Sequence, residues 1–387
     1  MLLDWNPSLF ILNLIECILS LIKERATLME IKEVRIMKLQ APWAEAPRFG
    51  PSVPEYREIL VVEIETDSGI IGMGYLMLLG GGAETIKACL KELIIPEILG
   101  RNITDVEGIW TQLWKKNYWV GRMGITVMAQ SVIDIALWDA VGKSVNLPLH
   151  RLWGHCNDII PAYGSGCWRG YGPDGMVERA QRYVADGFTS IKMQCGILYD
   201  RHQDVRNVAL MRDKLGPEID IMIDANMAWT ADEAIVIGRK FEQYDLFWLE
   251  EPVPCEDFSG YARIANALDI RIVGGETHFT RFDMRPFFEN PNLPILQPDI
   301  MRGGFTELRK IAYLADTWGM TIAPHLFPEL MVQLMASISN PLVIEYVNWM
   351  DDAWVEPVLP VDGFYSAPER PGHGLQFKHE FIAEYKI

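Results

Sequence analysis

The chain has 387 residues, of which 49% are hydrophobic and 22% are charged, and its formal net charge is −17 at pH 7. This composition is typical of a soluble globular protein with room for more than one domain, and it excludes a collagen-like or disordered chain. The negative charge repels phosphate groups, so we expect neither nucleic-acid binding nor membrane binding as the main activity.

The first 28 residues differ from the rest of the sequence. Their apolar stretch, residues 9–22, is shorter than the roughly 18 to 20 residues that a membrane helix needs. Its spacing predicts an amphipathic helix, and we expect the globular protein to begin near Met29. The six cysteines are scattered without C-x-x-C spacing. They predict reduced thiols in a cytoplasmic protein.

Residues 29–150 mix strand and helix patterns. Residues 59–65 and 70–75 alternate around the turn Asp67-Ser68-Gly69, which predicts a hairpin. Residues 83–93, 106–114 and 125–141 have helical periodicity. A sheet followed by helices predicts an α+β domain over residues 29–150.

Residues 151–360 repeat a short apolar strand followed by a helical stretch. The predicted strands are residues 160–165, 189–194, 219–224, 246–250, 270–276, 294–299, 320–325 and 342–346. Eight such strands predict an α/β fold, a (β/α)7β TIM-like barrel, and their continuous apolar character indicates burial on both faces. Residues 361–387 contain no further βα unit. We expect them to return to the first domain, which caps the barrel.

Three consecutive predicted strands end in the acids Asp224, Glu250 and Glu276, at equal intervals along the chain. The carboxyl ends of barrel strands meet at one face, where active sites lie. Three carboxylates in one pocket repel each other unless a cation holds them, and Mg2+ prefers oxygen ligands. The sequence therefore predicts a metal site, although any one of these acids alone could instead cap the following helix.

Several motifs resemble one protein family. They are IDIALWD at 133–139, PLHRLWG at 148–154, IDAN at 223–226, WLEEP at 248–252, GGE at 274–276 and LQPD at 296–299, followed by Gly303-Gly304. Together they resemble the mandelate racemase and muconate-lactonising branch of the enolase superfamily, over about residues 29–377. Within this branch the chain is similar to acid-sugar dehydratases. Both the rhamnonate group and the galactarate and talarate group remain open.

The resemblance implies roles for individual residues. Asp224, Glu250 and Glu276 are expected to bind Mg2+, and His325 with Asp299 is expected to be the base. A Lys or His base acting with Mg2+ on an ene-diolate is known for this superfamily, and it is taken over from the resemblance. In the same way, Glu345 is expected to hydrogen-bond the substrate carboxylate as it becomes an enediolate.

The second predicted barrel strand departs from the family pattern. Many members have Lys-x-Lys there, whereas this chain has Lys192 followed by Gln194. An amide cannot accept a proton from carbon, so a single base, His325, is expected. This favours syn-dehydration of a sugar acid, an aldonate or aldarate, to a 2-keto-3-deoxy acid. A racemase, epimerase or cycloisomerase remains an alternative, as does a non-catalytic barrel that binds sugar acids.

Three further residues are expected to contact a small carboxylate substrate. They are Asn226 beside the metal site, His278 toward a distal hydroxyl, and Arg48 toward a distal carboxylate. Arg48 lies in the loop 42–50, whose Pro and Gly residues predict a closing loop. For His278 a position behind the site stays open, and for Arg48 a solvated surface position. We also expect a homo-oligomer.

Overall fold

The computed structural model describes residues 29–48, 55–196, 200–289 and 293–387. The strands are β1 (Ile31–Pro42), β2 (Tyr56–Thr66), β3 (Ile71–Leu78), β4 (Ile160–Cys167), β5 (Ser190–Gln194), β6 (Asp220–Asp224), β7 (Leu246–Glu250), β8 (Ile272–Val273), β9 (Ile295–Leu296), β10 (Thr321–Ile322), β11 (Ile344–Tyr346) and β12 (Phe364–Tyr365). The predicted extension, residues 1–28, and the end of the loop 42–50 lie outside the described residues.

Helices connect these strands and pack around them. The α-helices are α1 (Ala83–Cys89), α2 (Ile95–Ile98), α3 (Val106–Lys116), α4 (Ile125–Ser144), α5 (Leu149–Trp153), α6 (Gly172–Ala185), α7 (Arg201–Leu215), α8 (Ala231–Phe241), α9 (Phe258–Ala267), α10 (Thr280–Asp283), α11 (Arg285–Glu289), α12 (Gly304–Thr317), α13 (Pro328–Met335) and α14 (His379–Tyr385). A π-helical segment, Leu90–Ile94, joins α1 to α2. Shorter 3-10 turns include Ile300–Arg302.

The N-terminal part is an antiparallel sheet covered by α4. Its strand order is β1-β2-β3, and β2 and β3 form the predicted hairpin. A Cβ atom on Gly72 would lie 2.1 Å from the Ala136 carbonyl oxygen, and one on Gly74 2.3 Å from that of Val132. Glycine at these two positions therefore lets the helix lie directly against the sheet.

Helix α4 is the core helix of this region. Among the described residues, it alone is long and apolar enough to cross a membrane. However, 83% of its apolar stretch is buried inside the protein. Its hydrophobic surface is therefore used for packing against the sheet and against α12.

The second part is a closed ring of eight parallel strands. Strands β11-β4-β5-β6-β7-β8 form one sheet and β9 pairs with β10. Single bridges, Gly274 to Leu296 and Ile322 to Pro341, join the two sheets. The predicted barrel is confirmed. Strands β8, β9 and β10 are shorter than predicted, because the chain leaves the ladder early; Gly275, for example, has φ 132°.

The barrel interior contains a layer of apolar side chains from seven strands and the residues next to them: Tyr163, Met222, Trp248, Val273, Ile295, Ala323 and Val343. On β5, Lys192 is in register with Met222 of β6. Its side chain is only 4% exposed. Because an unpaired buried ammonium is costly, Lys192 requires anionic partners inside the barrel.

The C-terminal segment contacts both the barrel and the N-terminal sheet. Strand β12 pairs with β4, and α14 packs on β1. Beyond the helix, Lys386 forms a bridge with Leu39. Residues at both ends of the described chain thus belong to one layer. The domain limits at residues 28, 150 and 360 stay predictions.

Candidate active site

The carboxyl ends of three neighbouring strands bring Asp224, Glu250 and Glu276 together. Their ligand oxygens all lie within 4.8 Å of one another. Burial and the neighbouring carboxylates raise the pKa values of Asp224 and Glu276 well above their usual range. Such a set of close carboxylate oxygens fits a hard divalent cation such as Mg2+, which would relieve their repulsion.

The carboxylates of Asp224 and Glu250 are held by specific donors. Asn226 donates to Asp224 from its backbone N and from Nδ2, each at 2.8 Å. Trp248 Nε1 donates to Glu250 Oε2 at 3.0 Å, and Lys192 Nζ donates to Oε1 at 2.7 Å. These contacts fix the directions of two predicted metal ligands, as outer partners do in metal sites.

Glu276 is held differently from the other two acids. Its Oε2 is buried and accepts no hydrogen bond from the described residues. It lies 3.6 Å from His325 Nε2. A buried carboxylate oxygen without a donor is costly, so this atom is the most poorly satisfied of the cluster and the best placed to gain from a cation.

His325 lies beside this cluster, after β10, and pairs with Asp299. Its Nδ1 is 2.7 Å from Asp299 Oδ2, and the other oxygen of Asp299 accepts from the Met301 backbone N at 2.6 Å. Burial opposes the imidazolium, but the charge of Glu276 and the hydrogen bond to Asp299 outweigh it and raise the pKa of His325 to about 10. With Nδ1 engaged by Asp299, Nε2 is the nitrogen directed at the carboxylate cluster.

Lys192 lies on the other side of the three metal-binding strands, on β5. Its Nζ is 2.7 Å from Glu250 Oε1 and 3.0 Å from Glu345 Oε1. Burial opposes the ammonium, but the two carboxylates raise the pKa of Lys192 well above its usual value. These two ion pairs favour the ammonium form of Lys192, which has no lone pair with which to accept a proton.

Glu345 and Gln194 complete this side of the site. Glu345 Oε2 accepts from the Leu326 backbone N at 3.0 Å. Burial would raise the pKa of Glu345, but Lys192 and His325 lower it to about 2. Gln194 donates from Nε2 to Asn226 Oδ1. Gln194 thus belongs to the hydrogen-bond chain that positions Asp224.

A cavity of about 320 Å³ opens onto these groups. The cap closes one side of it with β3, the residues after it and α4, and the barrel loops close the rest. The lining residues that the sequence did not indicate are Leu78, Leu79, Gly80, Gly81, Met128, Trp168, Met301, Arg302, Leu326 and Trp349. Most of them lie in loops that follow strand ends. Their position in such a loop is the one feature of the sequence that could have indicated a place in the cavity lining.

Two predicted substrate ligands lie away from this cavity. His278 is buried, its Nε2 is 3.0 Å from the Cys255 carbonyl oxygen, and its ring packs against Phe258 and Phe287. Arg48 is exposed, with its guanidinium 5.2 Å from the centre of the Tyr171 ring. The expected contacts of His278 and Arg48 with substrate are therefore corrected, since neither side chain lines the cavity.

Comparison with known proteins matches both parts of the chain to one family. Residues 49–154 match the mandelate racemase/muconate lactonizing enzyme N-terminal domain, and residues 175–381 match the enolase C-terminal domain-like family. The chain belongs to the mandelate racemase and muconate lactonizing enzyme branch of the enolase superfamily. The resemblance found in the sequence motifs is confirmed.

Relatives of this enolase-superfamily chain include two kinds of enzyme. It is 34% identical to 3,6-anhydro-alpha-L-galactonate cycloisomerase from Streptomyces coelicolor, over 85% of this chain and 92% of the relative. It is 33% identical to L-talarate/galactarate dehydratase from Salmonella typhimurium, over 82% and 80%. The crystal structure of L-talarate dehydratase from Polaromonas sp. JS666 with Mg and L-glucarate has a TM-score of 0.87 and 30% identity, covering 92% of this chain and 97% of that one.

Proposed function

We propose that this enolase-superfamily enzyme uses Mg2+ to dehydrate a sugar acid, giving a 2-keto-3-deoxy acid by syn elimination. The observation that carries the proposal is the asymmetry of the cavity. His325 with Asp299 is a competent proton acceptor on one side. On the other side, Lys192 is an ammonium between two carboxylates, and the amide Gln194 does not line the cavity. One base supports elimination, whereas a two-base racemase needs an acceptor on each face.

Asp224, Glu250 and Glu276 are the residues that would hold the metal. When bound, Mg2+ supplies positive charge at the substrate carboxylate, which makes the adjacent C–H bond more acidic. The ammonium of Lys192 lies 2.7 Å from Glu250 and adds a second positive charge to the same region. Both charges favour binding of the carboxylate that is next to the reacting carbon.

His325 carries the proton in this proposal. A pKa of about 10 favours the imidazolium as long as Glu276 keeps its full charge. Asp299 engages Nδ1, so Nε2 is the atom that takes the α-proton; a cation held by Asp224, Glu250 and Glu276 would offset the charge of Glu276 and would lower the pKa of His325. The resulting imidazolium then protonates the β-hydroxyl, which leaves as water from the same side. The enol product tautomerises to the 2-keto acid.

The role proposed for Glu345 changes from that expected from the sequence. A hydrogen-bond donor to the substrate carboxylate needs a protonated acid, whereas the pKa of Glu345 is lowered to about 2. We propose that Glu345 remains ionised and, together with Glu250, holds Lys192 in place. The donor to the carboxylate is then Lys192 itself.

A cycloisomerase is the second candidate, favoured by the 34% identity to a cycloisomerase. The same single base can remove an α-proton while a ring oxygen, rather than a hydroxyl, leaves the β-carbon. The leaving oxygen then stays attached to the product. Dehydration lowers the mass of the product by one water, whereas cycloisomerisation leaves the mass unchanged.

The test is a screen of aldonates, aldarates and their cyclic forms with the Mg2+-loaded enzyme, read by semicarbazide absorbance and mass spectrometry. We expect a 2-keto product that is lighter by one water. Glu250→Gln should lose metal binding and product formation, whereas Glu289→Gln at an exposed site should keep both. Full activity in excess chelator would contradict the metal proposal, and a product of unchanged mass would favour cycloisomerisation.

The partner is a small sugar acid that enters the cavity of about 320 Å³. A cytoplasmic location and a homo-oligomer stay predictions from the sequence. Size-exclusion chromatography with light scattering measures the oligomeric state directly.

A further inference from the structure

Three basic side chains line the active-site cavity, and they differ in their partners. Lys192 pairs with Glu250 and Glu345, and His325 pairs with Asp299. Arg302 also lines the cavity, but it forms no ion pair with any carboxylate of the described residues. Of the three basic residues in the lining, Arg302 is thus the one whose positive charge is not paired with a carboxylate of the described residues.

The hydrogen bonds of Arg302 are also incomplete. Its Nη1 donates to the Thr277 carbonyl oxygen at 3.3 Å, and its guanidinium lies 4.8 Å from the centre of the Phe279 ring. Its Nε is buried and has no acceptor among the described residues. A half-buried guanidinium with an unsatisfied N–H is costly, and an anionic ligand would offset that cost. Its planar group of donors matches the two oxygens of a carboxylate.

Arg302 comes from a different part of the barrel than Lys192. It belongs to the 3-10 turn Ile300–Arg302 after β9, and its contacts are with the loop after β8. The metal ligands and Lys192 come from β5 to β8. In the ring of eight strands, β9 is four strands away from β5, so Arg302 and Lys192 lie on different sides of the cavity, although Thr277 directly follows the proposed metal ligand Glu276. An anion at Arg302 is therefore a group of the ligand other than the carboxylate at Lys192.

We propose that Arg302 binds the distal carboxylate of the substrate, so that the enzyme selects aldarates, which have two carboxylates, over aldonates, which have one. This rests on the proposed function, because it requires a sugar acid whose first carboxylate lies at the metal site. It gives Arg302 the role that the sequence had suggested for Arg48. A charge-assisted bidentate contact of this kind increases affinity about ten- to a hundredfold.

The binding test uses the His325→Asn variant with Mg2+, so that no turnover occurs during calorimetry. The ligand pairs are galactarate with galactonate and glucarate with gluconate, which differ at the distal carbon alone. We expect at least one diacid to bind about tenfold or more tightly than its monoacid. Adding Arg302→Gln should remove this preference, and Arg302→Lys should restore part of it.

Arg285→Gln is the matched control, because this arginine is exposed on α11 and pairs with Glu289. It removes the same charge and should leave the diacid preference intact. Mg2+ affinity equal to that of the parent shows that each variant is folded. Equal binding of diacid and monoacid in both pairs, or a preference that survives Arg302→Gln, overturns the proposal.

Turnover by the active enzyme separates this proposal from the proposed function. Selective diacid binding without any 2-keto product contradicts dehydration and supports the role of Arg302. Dehydration of aldonates as efficiently as of aldarates supports the proposed reaction and overturns the role of Arg302.

Discussion

Each of two sides of the active-site cavity carries a basic side chain that is paired with carboxylates. The two side chains differ in whether they can accept and release a proton. His325 pairs with Asp299 and Lys192 pairs with Glu250 and Glu345. The surrounding acids raise both pKa values. An imidazole has an unperturbed pKa of about 6.5, so neutralising one acid can return it to the neutral form near pH 7, whereas an amine has one of about 10.4 and stays an ammonium there even without its acids. Similar electrostatics therefore give a proton carrier on one side and a fixed charge on the other.

The substitution His325→Asn should have the largest effect on this difference. It removes the proposed base, and the loss in kcat should be about a thousandfold or more. Exchange of the α-proton with solvent deuterium, followed by NMR, should stop as well. If exchange continued at nearly the native rate, Lys192 would be the next candidate for the base. The proposed difference between His325 and Lys192 would then be wrong.

Lys192→Met tests the fixed charge. It leaves Glu250 and Glu345 buried without their counterion, and removal of one partner from a buried pair costs about 3–5 kcal/mol. We expect the free energy of unfolding, measured in urea, to fall by about this amount in the metal-free protein. Lys192→Met with Glu345→Gln should recover part of the loss, because one buried charge is then removed. An unchanged unfolding free energy in the single variant would argue against a buried ion pair.

Gln194→Ala tests whether the amide acts by positioning alone. The variant loses the hydrogen bond to Asn226, which in turn donates to Asp224. The loss of one such bond should lower kcat about tenfold and leave α-proton exchange measurable. Complete loss of exchange with normal Mg2+ affinity would instead indicate a direct part for Gln194 in proton transfer.

A further prediction concerns the turn that carries His325. Leu326 and Phe327 both have φ of 51°, and Glu329, which follows, accepts a hydrogen bond from Tyr75 of the cap. Burial raises the pKa of Glu329 to about 7 from 4.5. Because the folded state favours the protonated acid, this stabilisation is complete below about pH 4.5 and is lost as the pH rises through 7, by at most about 3 kcal/mol.

Glu329→Gln should flatten this part of the pH profile, since an amide does not titrate. Chemical unfolding of both proteins between pH 5 and 8 measures the difference. Asp351, which also faces this group and has a pKa raised to about 6, remains in both proteins. Parallel profiles for the two proteins would show that Glu329 is ionised in the folded state.

Much of the site could be predicted from strand ends alone. Asp224 and Glu250 end apolar runs and Glu276 follows one, so a barrel must bring them to one face, and the structure brings them within 4.8 Å. His278 could not be placed in this way, because it lies beyond the strand, where the chain turns its ring toward Cys255. Arg302 was missed for a similar reason, since loop residues have no periodicity that gives their direction.

The charge state of Lys192 could not be predicted either. Its partners Glu250 and Glu345 are 58 and 153 residues away along the chain. A pKa depends on distances of a few ångströms between such groups, and these are set by barrel closure.

The pairing of Lys386 with Leu39 has a consequence for how the protein is made. During synthesis, β1 leaves the ribosome early, but the helix that covers it, α14, is among the last segments to appear. Part of the surface of the first sheet therefore stays uncovered during translation, until the entire barrel has been synthesised. Contacts between such distant segments form slowly, so a chaperone that binds nascent chains would have the longest opportunity at β1.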